Sequence, residues 1–170
     1  MPEAKSQEIV VLGLGNLMRT DDAVGMHALA RLAADHRLPA GVSLVEGGTL
    51  GMELLYYVEN ASLLLTLDAV DASEPPGTVM LFKGEEVETL PCARSVHLLG
   101  LADLLSALRL TERAPKEVML LGIQPESTEW GTQLTPTVDA AVSKVIEIAL
   151  DKISAWKSRH ATPPTLIEAG

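Results

Sequence analysis

The sequence predicts an α/β fold with three layers, in which a twisted, mostly parallel five-stranded sheet is flanked by helices. Short, uniformly apolar runs rich in branched residues suit strands that are covered on both faces. Segments with helical spacing alternate with these runs along the chain, which is the pattern of a parallel sheet with helical connections. The strand candidates are Ile9–Leu14, Val42–Val45, Leu63–Ala69, Val79–Phe82 and Val118–Ile123. Each is bounded by glycine, proline or charged residues, which end strands.

Three amphipathic segments supply the predicted helical layers. Apolar residues recur at helical spacing from Val24 to Leu32 and again from Leu98 to Leu108. The last helix is the best marked, because Thr135 is a suitable N-cap and Pro136 stands at the first helical position. We expect its apolar stripe to dock on the sheet.

Composition limits the number of domains and the classes of partner. The chain has 170 residues, of which 47% are hydrophobic, and this suits one domain with one core. We expect an α/β domain over residues 1–156 and a loose C-terminal tail over residues 157–170. The formal net charge of −10 disfavours nucleic acid and anionic membrane surfaces as partners.

Cysteine content and hydropathy indicate the compartment in which the protein works. The lone Cys92 cannot form an internal disulfide, and the N-terminus lacks the basic start and apolar centre of a signal peptide. No uncharged apolar run reaches the roughly 18 residues that a membrane-spanning helix needs. We therefore expect a cytoplasmic protein in a reducing environment.

Polar residues at three element ends are the candidates for chemistry. Asp21 and Asp22 follow the first predicted strand and its glycine turn, Asp68 ends another predicted strand, and His97 opens an amphipathic segment. Ligands of an open α/β sheet bind beyond the carboxyl ends of its strands, so we expect these side chains to meet there. Two carboxylates and an imidazole are able to bind one metal ion.

Each candidate also has a structural interpretation. Thr20 is a good N-cap residue, and Asp21 and Asp22 in a first helical turn complement the helix dipole. Asp68 can cap a loop, and an isolated histidine is more often packed or solvated than a ligand. Glu46, after the second predicted strand, is able to reach the same crevice, although a flexible connection explains that segment equally well.

The sequence lacks the motifs that identify two common classes of α/β enzyme. Gly13 and Gly15 begin a dinucleotide-binding fingerprint, but Met18 occupies the third glycine position and the following acids would repel a pyrophosphate. The nucleophile elbow Gly-x-Ser-x-Gly of serine hydrolases is not present in the sequence. We therefore expect no organic cofactor.

Six short motifs follow one another along most of the chain. They are Gly13-x-Gly15-Asn16-x-x-x-x-Asp21-Asp22-x-x-Gly25, Gly47-Gly48-Thr49-x-Gly51, the strand-end Asp68, His97-x-x-Gly100-x-x-Asp103-Leu104-Leu105, Gly122-Ile123-Gln124-Pro125-Glu126 and Leu134-Thr135-Pro136-Thr137-Val138. Each motif alone is weak, but the ordered set is specific. As a set they resemble the [NiFe]-hydrogenase maturation endopeptidases.

This resemblance implies an endopeptidase that removes the C-terminal extension of a [NiFe]-hydrogenase large-subunit precursor after nickel insertion. It implies that Asp22, Asp68 and His97 are the catalytic and metal-contacting residues, and that the precursor carries the nickel. Many relatives have glutamate at the first of these positions, so Asp22 has a shorter reach. Glu46 stands where aspartate is usual. The metal either activates water or polarises the scissile carbonyl, or it serves only as a recognition signal.

Three other interpretations remain open from the sequence. An aspartic-protease mechanism requires Asp22 and Asp68 to touch and share a proton. A non-catalytic module would sense a metal or escort the precursor without cutting it. A free-standing zinc amidohydrolase would bind its metal tightly without any partner. Cleavage of the precursor and metal analysis of the purified chain distinguish these possibilities.

Overall fold

Five strands form one sheet in the computed structural model, which describes residues 8–91 and 94–161. They are β1 (Glu8–Leu14), β2 (Val42–Gly48), β3 (Ala61–Ala69), β4 (Val79–Lys83) and β5 (Glu117–Ile123). The spatial order is β2-β1-β3-β5-β4, and every pairing is parallel except that of β4 with β5. The five predicted strands and the mostly parallel sheet are confirmed. Cys92 lies outside the described residues.

Helices cover both faces of this sheet. They are α1 (Val24–Ala34), α2 (Leu55–Val58), α3 (Glu85–Thr89), α4 (Val96–Leu110) and α5 (Pro136–Arg159), with 3-10 helices at Thr20–Ala23 and Met52–Leu54. Helices α1 and α5 pack with one core cluster, and α2, α3 and α4 pack with the other, so the predicted three layers are confirmed. Among the described residues, no helix combines the length and the apolar character required to cross a bilayer.

Alternating side chains of the central strands enter the two core clusters. Ile9 and Val11 face α1 and α5, whereas Val10 and Leu12 face α4. All residues of β3 are buried. This accounts for the uniformly apolar runs in the sequence, because a strand that is covered on both faces has no solvent-exposed side.

A close approach of α1 to the sheet sets the position of the loop after β1. A Cβ atom on Gly25 would overlap the backbone oxygens of Leu14 and Leu67. Gly15 has a φ of +140°, and a Cβ there would overlap the backbone oxygen of Asp22. The two glycines therefore allow the Thr20–Ala23 helix to lie directly against the ends of β1 and β3.

The predicted boundary of the C-terminal tail is wrong by three residues. Helix α5 continues through Arg159, where the expected loose tail would begin at residue 157. Lys157 donates a hydrogen bond to the backbone oxygen of Ala40, and Arg159 pairs with Glu117 at 3.1 Å. These contacts hold the end of α5 to the domain. Residues 162–170 lie outside the described residues.

Candidate active site

Asp22, Asp68 and His97 meet at the carboxyl edge of the sheet, as predicted. Asp22 and His97 line an open crevice of about 640 Å³. Asp68 lies beneath them and is fully buried. Asp22 comes from the 3-10 helix after β1, Asp68 from the end of β3, and His97 from the first turn of α4. The same edge is where an open parallel sheet is expected to bind its ligands.

The imidazole of His97 lies between the two carboxylates. Its Nδ1 is 3.0 Å from Oδ1 of Asp68, and its Nε2 is 3.5 Å from Oδ2 of Asp22. An Nδ1–H that donates to Asp68 is the tautomer that this contact favours, and it leaves Nε2 as the acceptor. Nε2 is buried and has no hydrogen-bond partner among the described residues. The ring is thus held at one nitrogen and available at the other.

Burial and neighbouring charges change the pKa values of Asp68 and His97. Burial raises the pKa of the Asp68 carboxyl, although the hydrogen bonds from His97 and Ser95 act in the opposite direction. Burial alone would lower the pKa of His97, but the hydrogen bond with Asp68 and the charges of Asp68 and Asp22 outweigh it and raise that pKa. The imidazole is therefore more basic than a free histidine.

Ser95 completes the network around Asp68 and was not a candidate in the sequence. Its hydroxyl donates to Oδ2 of Asp68 at 2.7 Å and accepts the backbone N–H of His97 at 3.2 Å. Ser95 is also the N-cap of α4. A serine immediately before an apolar helix is a recognisable N-cap signal, so this position was detectable, but its bond to Asp68 was not.

Asn16 was also without a predicted role. Its backbone N–H donates to Oδ2 of Asp22 at 3.0 Å, and its side chain accepts the N–H of Met18 at 3.0 Å. The carboxylate of Asp22 is therefore oriented by the loop that follows β1. This explains why an asparagine, which favours turns, stands between the glycine turn and the acids.

A further carboxylate, Asp71, lines the crevice. The amide of Gln124 and the N–H of Ser73 donate to it, and together with the nearby Arg94 they hold its pKa below the usual range. Gln124 is buried, and its side-chain oxygen accepts the N–H of Ala72. This arrangement fixes the loop after β3 at the crevice wall.

Asp21 is a structural residue, but for a different reason from the one expected. It is fully buried. Its carboxylate accepts the backbone N–H groups of Glu126, Ser127 and Thr135 and the Thr135 hydroxyl, at 2.8–3.0 Å. Asp21 therefore connects the first loop to the segment before α5, and the helix dipole is not its main partner.

Two predicted N-caps differ from their expected roles. Thr20 is the first residue of the 3-10 helix, with φ of +47°, and its hydroxyl donates to the backbone oxygen of Glu129 at 2.6 Å. The prediction of Thr20 as an N-cap is therefore wrong. Thr135 does occupy the N-cap position of α5, but its hydroxyl donates to Asp21 instead of accepting from the helix.

The prediction that Glu46 reaches the crevice is wrong. Glu46 is exposed and is not among the residues that line the crevice. Side chains two apart on a strand share a face, so Glu46 lies on the same face of β2 as Leu44. Leu44 packs with the α1 and α5 cluster, whereas His97 belongs to the opposite layer.

The three donors do not surround a single point. Asp68 and Asp22 lie at opposite nitrogens of the imidazole. Over residues 8–91 and 94–161, no group of three or more histidine, cysteine or acidic side chains is arranged as a metal site. A proton shared directly by Asp22 and Asp68 also does not fit, because His97 lies between them and Oδ2 of Asp68 is hydrogen-bonded to Ser95. The metal-contacting and catalytic roles of the three residues stay predictions.

The fold and the site together define an α/β protein with a carboxylate–imidazole centre at the carboxyl edge of its sheet. A family model described as hydrogenase maturation protease matches residues 26–152. The chain belongs to this family of peptidases. The resemblance found in the motifs is thereby confirmed.

The chain is similar in sequence and in structure to proteins that are named as hydrogenase maturation proteases. The chain is 44% identical to the hydrogenase 2 maturation protease of Escherichia coli K12 over 144 residues, which are 84% of this chain and 88% of that protein. It is 42% identical to the structure of the hydrogenase maturating endopeptidase HybD from E. coli, with a TM-score of 0.77 over 91% of this chain and 94% of the other. The HybD structure from Thermococcus kodakarensis is 31% identical, with a TM-score of 0.72 over 86% and 98% of the two chains.

Proposed function

We propose that this peptidase removes the C-terminal extension of a [NiFe]-hydrogenase large-subunit precursor and recognises the nickel that the precursor already holds. Asp22, Asp68 and His97 form the site that carries out both tasks. The reaction takes place in the cytoplasm. Family membership supports the precursor as substrate, and the arrangement around His97 supports recognition of the metal.

The observation that carries this proposal is the unpartnered Nε2 of His97 beside Asp22. A buried ring nitrogen without a hydrogen bond is costly unless it serves a ligand. Two ligand atoms that bind one ion at about 2.0–2.1 Å with tetrahedral angles are about 3.4 Å apart. The 3.5 Å between Nε2 and Oδ2 of Asp22 is compatible with that spacing.

Asp68 acts on the metal in one of two ways. In the present arrangement it holds Nδ1 of His97, which orients the ring and raises its basicity, as carboxylates behind metal-bound histidines do. Direct coordination by Asp68 requires its hydrogen bond to His97 to break. Two direct protein ligands, or three, leave positions open for groups of the precursor, and such a site binds a free ion weakly.

The reaction is hydrolysis of one peptide bond. Water adds to the scissile carbonyl carbon, the carbon–nitrogen bond breaks, and the leaving amine takes up a proton. Asp22, which lines the crevice, accepts a proton from that water. Nickel held by the precursor assists by polarising the carbonyl or by bringing the bond to Asp22.

The test compares nickel-loaded and nickel-free precursor. Purified protein should cut the loaded precursor and leave the nickel-free one intact, with a chelator too weak to strip the assembled centre. Because the metal arrives with the substrate, the purified protein should hold well under one equivalent of nickel or zinc by elemental analysis. Equal cleavage of both precursors would show that the metal is not the signal. Stoichiometric zinc in the purified chain would favour a self-sufficient metallohydrolase.

A further inference from the structure

Exposed apolar side chains are concentrated around the mouth of the crevice. Nine large hydrophobic residues are exposed among those that the structure describes. Leu50 lines the crevice, and five others lie within two residues in the sequence of a lining residue. We call these six the apolar rim: Leu17, Met18, Leu50, Met52, Leu99 and Trp130. The other three are Tyr56, Tyr57 and Leu110.

One part of the apolar rim lies where the loop after β2 meets α4. Leu50 lines the crevice directly. Gly51 and Gly100 are in close contact, since a Cβ on Gly100 would lie 3.3 Å from the Cα of Gly51. This contact brings Met52 next to the first turns of α4, where Leu99 is 54% exposed.

The other part lies where the loop after β1 meets the segment after β5. The backbone oxygen of Met18 accepts the N–H of Gly131 at 3.0 Å. The guanidinium of Arg19 lies 5.1 Å from the ring centre of Trp130. Arg19 and Thr128 line the crevice, so Met18 and Trp130, at 54% and 73% exposure, stand just outside it.

An apolar rim of this kind indicates a surface that binds another protein. Large exposed apolar groups cost solvation free energy, and their clustering at one site is typical of an interaction surface. Tryptophan and methionine are enriched in such surfaces. Under the proposed function the scissile segment occupies the crevice itself, whereas five of the six rim residues are not among those that line it. The partner must therefore be the body from which that segment emerges.

We propose that the apolar rim docks on the folded body of the precursor, around the point where its C-terminal extension emerges. The inference rests on the proposed function and extends it. Recognition then depends on three features of the substrate: the scissile segment, the nickel and a folded apolar surface. The rim is continuous with the catalytic crevice, which places that surface next to the bond to be cut.

The experiment uses two leucines on one helix. Leu99→Glu changes the rim at the start of α4, and Leu110→Glu makes the same change at its far end, about 16 Å away at 1.5 Å per residue. Trp130→Ser tests the other part of the rim. The measurements are the Kd for mature large subunit without its extension and the KM for nickel-loaded precursor. Circular dichroism and Tm establish that each variant is folded.

Leu99→Glu and Trp130→Ser should each raise the Kd for the mature subunit roughly tenfold or more, with a parallel rise in KM, because introducing a charge or losing a large apolar side chain within an interface is costly. Leu110→Glu should match the wild type. The proposal is overturned if the wild type does not bind the mature subunit, or if rim variants bind as well as Leu110→Glu. It is also overturned if the wild type forms a dimer that Leu99→Glu dissociates, since the rim would then join two copies.

These outcomes separate the two proposals. Wild-type cleavage of the loaded precursor, with rim variants unaffected, contradicts docking alone. Binding of the mature subunit that depends on the rim, without any cleavage of the loaded precursor, supports docking and contradicts the proposed function.

Discussion

Asp21 and Asp22 are consecutive residues whose carboxylates serve different parts of the molecule. Asp22 lies 3.5 Å from the imidazole of His97 at the wall of the crevice. Asp21 is fully buried and bonds to the segment before α5. The tight turns of a 3-10 helix point successive side chains in different directions, which makes this division possible.

Isosteric substitution should separate the two roles. Asp21→Asn places an amide where four donors converge, so it should lower the free energy of unfolding by about 3 kcal/mol. Asp22→Asn should change it by less than about 1 kcal/mol. Cleavage should show the reverse order, with Asp22→Asn the more strongly impaired variant. Its kcat/KM should lie at least about 100-fold below that of the wild type at a temperature where both variants are folded. Urea unfolding and a precursor cleavage assay measure the two effects. Normal cleavage by Asp22→Asn would remove Asp22 from the mechanism.

His97→Ala should abolish processing while the fold is retained. The ring is held by Asp68 and is not part of either core cluster, so its loss removes a functional nitrogen more than packing. Precursor cleavage, circular dichroism and Tm are the measurements. Loss of cleavage accompanied by unfolding would support a purely structural role for the imidazole.

Ser95 should act through Asp68 and His97. Ser95→Ala removes the N-cap of α4, at a cost of about 1 kcal/mol, and releases one oxygen of Asp68. We expect a lower kcat for loaded precursor with little change in KM, because the imidazole is less well oriented. Ser95→Thr keeps the hydroxyl and should restore much of the rate. If alanine and threonine variants have equal kcat, the hydroxyl does not position the site.

The strands and long helices were predictable because each is specified by local burial. All nine residues of β3 are buried, and six of them are apolar. Helices α2 and α3 were not predicted, since four and five residues are too short to show helical periodicity. The end of α5 was placed too early because Lys157 and Arg159 make polar contacts that a hydrophobic pattern does not report.

The sequence predicted which residues form the site and at which edge of the sheet they meet, but not how their side chains are arranged. Asp22, Asp68 and His97 stand at element ends, so parallel topology brings them together. The order Asp68–His97–Asp22 depends on side-chain directions across elements. The bonds of Asp21 are the extreme case, since Thr135 is 114 residues away in the sequence. No local pattern encodes such a partner.

The raised pKa of His97 predicts how stability depends on pH. Between the unfolded value near 6.5 and the higher folded value, the folded protein keeps a proton that the unfolded chain has released. The resulting stabilisation is fully present below pH 6.5 and is lost as the pH rises through the folded pKa. The raised pKa of Asp68 contributes with the same sign, from the unfolded value of about 3.8 upward. The free energy of unfolding should therefore fall as the pH rises above 6.5.

Two asparagine variants identify the source of this slope. Asp68→Asn removes the hydrogen-bonded charge that raises the pKa of His97, so it should flatten the dependence above pH 6.5. Asp71→Asn is the matched control: the pKa of Asp71 is lowered, so its contribution is lost only in acid and the slope above pH 6.5 should be unchanged. Urea unfolding from pH 5 to pH 9 measures all three proteins. An equal slope in wild type and Asp68→Asn would show that the Asp68–His97 pair does not titrate as the structure implies.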